Sequence, residues 1–289
     1  MSTPQESKSG FDIEEFLNLI FQRLFPRWYA RQAAKEIKLP DLGDINPPSF
    51  LSHRWLSLVS THEAIIESLK GSESWKPLCD HLSTLITEAE YKRNLSITAI
   101  HGIQSSQCDD ELPDLISYAQ QQSDDIPHES AEDFDNNIHH AFPDAERPFH
   151  VCYREWDGRY YLMNKSEPTY FGALRLQCAS KHRDFSLQSV IHVESVHGRT
   201  LDRIRAGYWL LLLKRESAYQ LFQLMKNAKL PCEIAEFEWR RSDLVFFIAR
   251  KNNQTINQIL LTLMGNHNSQ QVIDWGRFLS RSRFPFQNK

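Results

Sequence analysis

The sequence predicts an α+β protein, in which a helical N-terminal region precedes a mixed-sheet α+β domain built from two hairpins and flanking helices. Three observations support this fold class. Apolar residues recur at helical spacing in the first hundred residues, strand-like apolar runs follow residue 149, and tight-turn residues join two of these runs. With 289 residues, 41% of them hydrophobic and 24% charged, the chain can build a core, which excludes collagen-like, coiled-coil-only and wholly disordered proteins.

The N-terminal region contains mainly predicted helices. An apolar stripe begins at Phe11 and ends at Pro26, because proline cannot continue a helix. Residues 39–50 hold three prolines and a glycine, which indicates a loop. Apolar spacing and alternation predict the other elements, which are helices over 27–37, 55–69 and 78–89 and a short strand over 95–99.

The C-terminal half contains two predicted hairpins. Asp157-Gly158 joins strands over 149–156 and 159–164, and this dipeptide favours a two-residue turn with positive φ. The second hairpin joins 232–239 to 244–249, whose apolar residues on both faces predict a covered, central strand. Residues 207–213 fit either a buried strand or part of a helix. The other predicted elements are a strand over 189–196 and helices over 168–181, 201–205, 216–228, 255–264 and 272–279.

The charge distribution divides the chain into three predicted parts. Residues 1–103, the helical region, carry 11 basic and 13 acidic residues. Residues 104–148 carry 1 basic and 12 acidic residues, and such a polar, acidic composition predicts a mobile linker. Residues 149–289, the α+β domain, carry 21 basic and 12 acidic residues, a net charge of +9. The overall charge of −4 therefore conceals an acidic segment beside a basic domain.

Trp156-Asp157-Gly158-Arg159 opens the most specific local pattern, followed by Tyr161, Asn164 and a helix with Phe171, Ala173 and Arg175. This pattern resembles a bacterial protein family of unknown function with a Trp-Asp-Gly-Arg hairpin, an Asn-x-x-Gly-Ser-His segment and a Phe-Ala-rich helix. The resemblance extends over residues 75–279 and implies no activity. The same strand–turn–helix is more faintly similar to the Gly-His-Arg segment of ParB and sulfiredoxin-type nucleotide-binding domains.

The fainter resemblance implies a nucleotide pocket near Asn164, Ser166 and Arg175. Here the Gly-Ser-His stretch is replaced by Ser-Glu-Pro-Thr-Tyr over residues 166–170. A phosphate at a helix N-terminus needs free backbone N–H groups, and Pro168 removes one while Glu167 adds a negative charge. The sequence therefore indicates a degenerate pocket.

Three groups of side chains are candidates for catalytic or metal sites. His150 and Cys152 share a face of a predicted strand, as do His192 and Glu194, whereas His192 and His197 face opposite sides. A third group combines His139, His140, Asp133, Asp135 and His150. Each group is more simply explained as packed or solvated side chains, and neither the P-loop nor other common enzyme motifs occur. We expect no catalytic residue, no metal site and no cofactor.

Basic and aromatic residues interleave in the last hundred residues, as in proteins that bind single-stranded nucleic acid. The candidate binding residues are Arg199, Arg203, Arg205, Trp239, Arg240, Arg241, Arg250, Lys251, Arg277, Arg281 and Arg283.

These observations favour a non-enzymatic interaction or regulatory protein of the bacterial cytoplasm whose partner is nucleic acid or a protein. The alternative is a nucleotide-handling enzyme built on a degenerate ParB- or sulfiredoxin-like domain. A cytoplasmic location is expected because the first ten residues are polar and lack the apolar core of a signal peptide. No membrane partner is expected, since apolar stretches are far shorter than the roughly 20 residues of a spanning helix.

Overall fold

A computed structural model describes residues 20–21, 23–42, 58–103, 115–122, 126–127, 129–142, 148–156, 158–163, 168–181, 185–236, 243–267 and 271–282. The fold is α+β, as predicted from the sequence. The chain divides into two compact units. The first unit joins Met1–Gly43 to Ala206–Trp275, and the second joins Asp44–Arg205 to Gly276–Lys289.

The described helices are α1 (Pro26–Ala33), α2 (Leu58–Leu69), α3 (Lys76–Ser83), α4 (Leu115–Gln122), α5 (Ala131–Ala141), α6 (Pro168–Ser180), α7 (Gly198–Gly207), α8 (Arg215–Asn227), α9 (Gln254–Gly265) and α10 (Trp275–Ser282). The strands are β1 (Ile86–Ser96), β2 (Ile100–Ile103), β3 (Phe149–Arg154), β4 (Arg159–Leu162), β5 (Ser186–Val196), β6 (Tyr208–Lys214), β7 (Cys232–Glu236), β8 (Leu244–Arg250) and β9 (Ile273–Asp274). Residues 11–19 of the first predicted helix and residues 43–50 of the predicted loop lie outside the described residues.

An antiparallel sheet of order β7-β8-β6-β9 forms the centre of the first unit. Leu244 to Ala249 in β8 are all buried, which confirms the covered, central strand that the apolar run predicts. Helices α1, α8 and α9 supply the rest of the core. Residues 208–214 form a strand because β6 pairs with β8 along its whole length. The helix predicted over 272–279 is wrong at its start, where Ile273 pairs with β6.

A mixed sheet of order β1-β5-β3-β4-β2 forms the centre of the second unit. The predicted β3–β4 hairpin forms, and Gly158 has the expected positive φ, at +67°. Its connection is longer than the predicted two-residue turn, because the last strand pair is Arg154 with Arg159. Leu187 and Ile191 of β5 belong to a core cluster with Leu115 of α4, Phe142 after α5, and Phe171 of α6. The two predicted hairpins thus belong to separate sheets, because β7 and β8 pair in the first unit.

The predicted helix over 78–89 is wrong in its second half. Helix α3 ends at Ser83, and β1 then pairs with β5 in antiparallel register from Ile86 to Ser96. Residues 87–94 of β1 are exposed, so they lack the apolar alternation that identifies a half-buried strand. Residues 97–99, predicted as strand, form a 3₁₀ turn in which Ser96 Oγ accepts the N–H of Thr98.

The acidic segment 104–148 contains the helices α4 and α5, both in contact with α6. The Ser130 and Asp133 side chains form a capping box at the start of α5, which satisfies backbone N–H groups of its first turn. The Asp133 carboxylate accepts hydrogen bonds from the backbone N–H groups of Ser130 and Glu129, which lower the pKa of Asp133. Residues 115–122 and 131–141 of the acidic segment are therefore helical and pack against α6. The three-part division as a whole stays a prediction.

A polar face of the five-stranded sheet as candidate functional site

One row of side chains crosses four strands of the mixed sheet. Glu90 of β1 lies opposite His192 of β5, which lies opposite Cys152 of β3, which lies opposite Tyr161 of β4. Residues in register across neighbouring strands point to the same face of a sheet. Their face is the reverse of the one that carries Ile191 and Val151 into the core cluster. We call this surface the polar face.

Two imidazoles meet on the polar face. His150 Nδ1 and His192 Nε2 are 2.8 Å apart, and the ring planes differ by 22°. The other ring nitrogen of His192, Nδ1, lies 3.7 Å from Glu90 Oε2. Because the carboxylate accepts only, it favours the tautomer with the proton on Nδ1 of His192. With this tautomer, His150 Nδ1 donates to His192 Nε2, and the Glu90 carboxylate lies near the opposite side of the His192 ring without a direct hydrogen bond to it.

A buried ion pair lies beside the two imidazoles. Arg154 Nε donates to Glu194 Oε2 at 3.2 Å, and the two side chains are only 8% and 15% exposed. The Arg154 guanidinium also lies 4.5 Å from the centroid of the Tyr161 ring, a cation–π contact. The charges of Arg154 and Glu194 are therefore largely compensated by each other and by the Tyr161 ring.

Cys152 is the buried thiol of the row. Burial, followed by the nearby charge of Glu194, raises the pKa of Cys152 to about 12. A thiol with such a pKa is protonated near neutral pH and is a poor nucleophile. The hypothesis that His150 activates Cys152 is not supported, because His150 bonds to His192 instead.

The structure also separates the other predicted pair. His192 contacts His150 and Glu90, whereas Glu194 contacts Arg154, so the two residues belong to different clusters. His197 lies beyond the end of β5, where its Nδ1 bonds to Thr200 Oγ1 at 2.7 Å. His192 and His197 therefore do not act as a ligand pair.

The third predicted group is not assembled. His140 packs on the Tyr170 ring, with centroids 4.5 Å apart, and Asp133 caps α5. His150 is engaged on the polar face. Within the described ranges, no group of three or more His, Cys, Asp or Glu side chains is arranged to hold a metal ion.

Of the three residues of the alternative nucleotide pocket, the structure describes only Arg175. Asn164 and Ser166 lie outside the described residues. Arg175 donates from Nη2 to the Thr98 carbonyl at 2.9 Å and from Nε to the Ile100 carbonyl at 3.4 Å. Arg175 thus binds the backbone of the 3₁₀ turn and the start of β2, which is a structural role.

The predicted basic residues are distributed over several elements. Arg199, Arg203 and Arg205 are exposed on α7. Lys251 follows β8, and its Nζ lies 4.1 Å from the centroid of the Trp209 ring. Arg250 ends β8, whereas exposed Arg277 and also Arg281 belong to α10. The remaining members, which are Trp239, Arg240, Arg241 and Arg283, lie outside the described residues.

Comparison with known proteins gives a family but no activity. The model of DUF6685, a family of unknown function, matches residues 90–288. The chain belongs to this family. Its membership agrees with the uncharacterised family that the Trp-Asp-Gly-Arg hairpin resembles, and the match includes every strand of both sheets except the first residues of β1.

No curated protein and no solved structure matches the DUF6685 chain. Among the described residues, we find no helix with the length and apolar character that a membrane crossing requires.

The hydrogen bond between His150 and His192 was not predicted from the sequence, although both residues were candidates for separate sites. They are 42 positions apart and are joined by the parallel pairing of β3 with β5. The alternation along each strand gave the correct face for each histidine. No local pattern specifies which strands become neighbours. The sequence therefore predicted two separate pairs, His150 with Cys152 and His192 with Glu194.

Proposed function

We propose that the protein is a non-enzymatic interaction or regulatory protein of the bacterial cytoplasm that binds a polyanion such as nucleic acid. The binding element is α7, and the observation that carries the proposal is its exposed arginine surface. The proposal is supported by the net charge of +9 over residues 149–289. Nucleic acids bind such surfaces because basic side chains replace the counterions of the phosphates.

Helix α7 is anchored on one side and basic on the other. Thr200, Leu201 and Ile204 are at most 4% exposed, which fixes the helix to its unit. Arg199 and Arg203 are exposed and one helical turn apart, so they lie on the same side. Arg205 is also exposed and forms an ion pair with Asp202 at 3.5 Å. Three arginines and one aspartate leave α7 with a net charge of +2.

The alternative enzyme stays a prediction. It requires a pocket near Asn164, Ser166 and Arg175, and the contacts of Arg175 with backbone carbonyls give it no support. For this reason we place the binding residues on α7 and not at the start of α6.

A binding titration tests the proposal. Single-stranded and duplex oligonucleotides are titrated into the full chain and into R199A/R203A at several salt concentrations. Each phosphate contact that is lost should reduce the slope of log K against log salt by about 1, so the double variant should lose about 2. Binding should also weaken for all sequences alike, because phosphate contacts carry no base specificity.

The matched control is R23A/R27A. These arginines are also exposed and four positions apart, so the control removes the same charge with the same spacing. Equal loss of binding in both variants would show a general charge effect rather than a site on α7. An absence of binding by the wild-type chain at ~50 mM salt, where phosphate contacts are strongest, would contradict the polyanion proposal.

A further inference from the structure

The paired imidazoles of the polar face are not part of the polyanion site proposed on α7. His150 and His192 come from neighbouring parallel strands, in which His150 is in register with Val190. His192 is therefore two positions further along β5, on the same face. The pair is open to solvent, since His150 is exposed and the His192 side chain is 29% exposed.

We propose that His150 and His192 form a two-imidazole binding site for a divalent first-row transition-metal ion, of which Cu²⁺ binds most tightly. Neutral imidazole is the commonest side-chain ligand for such ions. The ion coordinates the two nitrogens that now face each other, Nδ1 of His150 and Nε2 of His192. The proton between these nitrogens moves, through water, to Nε2 of His150, so both ligands bind as neutral imidazoles.

Glu90 is placed to support His192 as a ligand. A metal-bound histidine commonly donates its other N–H to a carboxylate, which fixes the tautomer and orients the ring. Glu90 Oε2 lies 3.7 Å from Nδ1 of His192, on the side away from His150. The carboxylate thus directs the lone pair of Nε2 toward the ion without being a ligand itself.

The present separation of the two nitrogens is that of a hydrogen bond, and it leaves them near enough to become adjacent ligands of one ion. Adjacent nitrogens at about 2.0 Å from an ion are roughly 2.8 Å apart at a 90° angle and roughly 3.3 Å apart in a tetrahedron. The observed separation is 2.8 Å, although the rings must turn for both lone pairs to converge on one ion. Square-planar nitrogen sites suit Cu²⁺ and Ni²⁺, and Cu²⁺ binds most tightly in the divalent series.

Two protein ligands leave coordination positions to water. The described residues offer no third His, Cys, Asp or Glu in a suitable position. Cys152 is nearest in register, but its buried thiol has a pKa raised to about 12. The site is consequently an open, exchangeable one, unlike the closed four-ligand sites that stabilise folds.

The experiment uses the full chain without a histidine tag. Cu²⁺, Ni²⁺ and Zn²⁺ are titrated separately by calorimetry into the wild type, H150A, H192A and E90Q. The expected result is one ion per chain, with Cu²⁺ tightest, and a loss of at least tenfold in affinity in either histidine variant. E90Q should lose about tenfold, as partners of metal ligands commonly do. The control is H139A/H140A, which removes two adjacent exposed histidines and should bind like the wild type.

Electron paramagnetic resonance of the Cu²⁺ complex gives a second readout that protein stability does not affect. The wild-type spectrum should show coupling to two imidazole nitrogens, and H150A and H192A should each show one fewer. Unfolding curves of the metal-free variants check that each is folded. Three outcomes would each overturn the proposal. The first is unchanged nitrogen coupling in both H150A and H192A, and the second is an equal loss of affinity in H139A/H140A. The third is no bound ion at ~100 μM Cu²⁺, a concentration well above the Kd expected for a specific site. R199A/R203A should bind Cu²⁺ normally, so the metal site and the polyanion site are tested independently.

Discussion

The buried ion pair of Arg154 and Glu194 determines how strongly substitutions at these two positions of the polar face affect stability. Both side chains are largely buried, and their charges are compensated by each other and by the Tyr161 ring. Removal of water from both charges is costly, so the pair contributes less net stability than its short distance suggests. Removal of one member alone is far more harmful, because the other charge stays buried without its partner.

We therefore expect Glu194→Gln to lower the free energy of unfolding by about 3–5 kcal/mol, measured by urea denaturation. The double variant R154M/E194M should lose clearly less, since no buried charge remains. Glu67→Gln is the control: it breaks the exposed pair with Lys70, whose side chains are 69% and 72% exposed, and should change stability by under about 1 kcal/mol. A loss in the double variant as large as in Glu194→Gln would show that packing, not charge compensation, dominates.

Cys152 makes stability depend on pH in the alkaline range. Burial raises its pKa from 9.0 to about 12, so above pH 9 the unfolded state releases the proton while the folded state keeps it. The folded state then binds more protons than the unfolded state, and stability falls as pH rises through 9 toward 12.

Replacement of Cys152 by Ala should remove this contribution. Between pH 8 and pH 10, the wild type should lose about 1 kcal/mol more stability than Cys152→Ala, measured by urea denaturation at each pH. The comparison between variants cancels the lysines and tyrosines that titrate in the same range. Parallel pH dependences of the two proteins would mean that the thiol is not protected in the folded state.

Gly158 shows at the level of elements how a turn defines a hairpin. Its φ of +67° lies in the left-handed region, which is strained for β-branched residues. This glycine lies between β3 and β4, and β3 carries His150, Cys152 and Arg154. The turn therefore fixes the register of the strand that forms half of the polar face.

Gly158→Val should destabilise the protein by about 2 kcal/mol, whereas Gly158→Asn should lose about 1 kcal/mol or less, because Asn tolerates positive φ. Thermal unfolding of both variants measures the difference. Gly265→Ala is the control: an added Cβ there meets no atom within 4 Å, and the residue ends a helix. Equal melting temperatures for Gly158→Val and the wild type would contradict the role of the turn.

The sequence predicted most elements whose hydrophobic pattern was local. The β3–β4 turn, helix α6 and the buried β8 strand each carried a direct signal in the form of Asp-Gly, Pro168 and an apolar run. Strand β1 was missed because its exposed residues Thr87 to Asn94 give no apolar alternation, and its pairing with β5 depends on tertiary structure. Helix α5 was missed as an ordered element because its acidic composition outweighed the capping box at Ser130.

At the scale of the whole molecule, long-range pairing determined what the sequence left open. The first unit joins the N-terminal 43 residues to Ala206–Trp275. No change in charge or composition at the ends of these segments predicts this arrangement from the sequence. Likewise, the paired histidines depend on a parallel contact between β3 and β5 across the whole of α6. The charge distribution, in contrast, can be determined directly from the sequence. It raises the question whether the acidic segment regulates binding to the basic residues.

Residues 104–148 carry a net charge of −11, and residues 149–289, which follow them in the sequence, carry a net charge of +9. A tethered polyanion has a high effective concentration near a basic surface, so we expect this segment to compete with nucleic acid for the arginines. The competing explanation is that the two charges merely balance each other and maintain solubility. Replacement of the whole segment by a neutral linker cannot distinguish them, because Leu115, Ala141 and Phe142 belong to the core.

Neutralisation of exposed acidic residues on and beside α5 avoids this difficulty. The variant E129Q/E132Q/D135N keeps the cap residue Asp133 and should bind single-stranded oligonucleotides about 2- to 5-fold more tightly at ~50 mM salt. The gain should shrink near ~200 mM salt, where screening shortens the range of the competing charges. E63Q/E67Q/E73Q removes the same charge from exposed positions outside the segment and is the matched control. Equal gains in the two variants would show that only net charge matters, and no gain in either would mean that the acidic segment does not regulate binding.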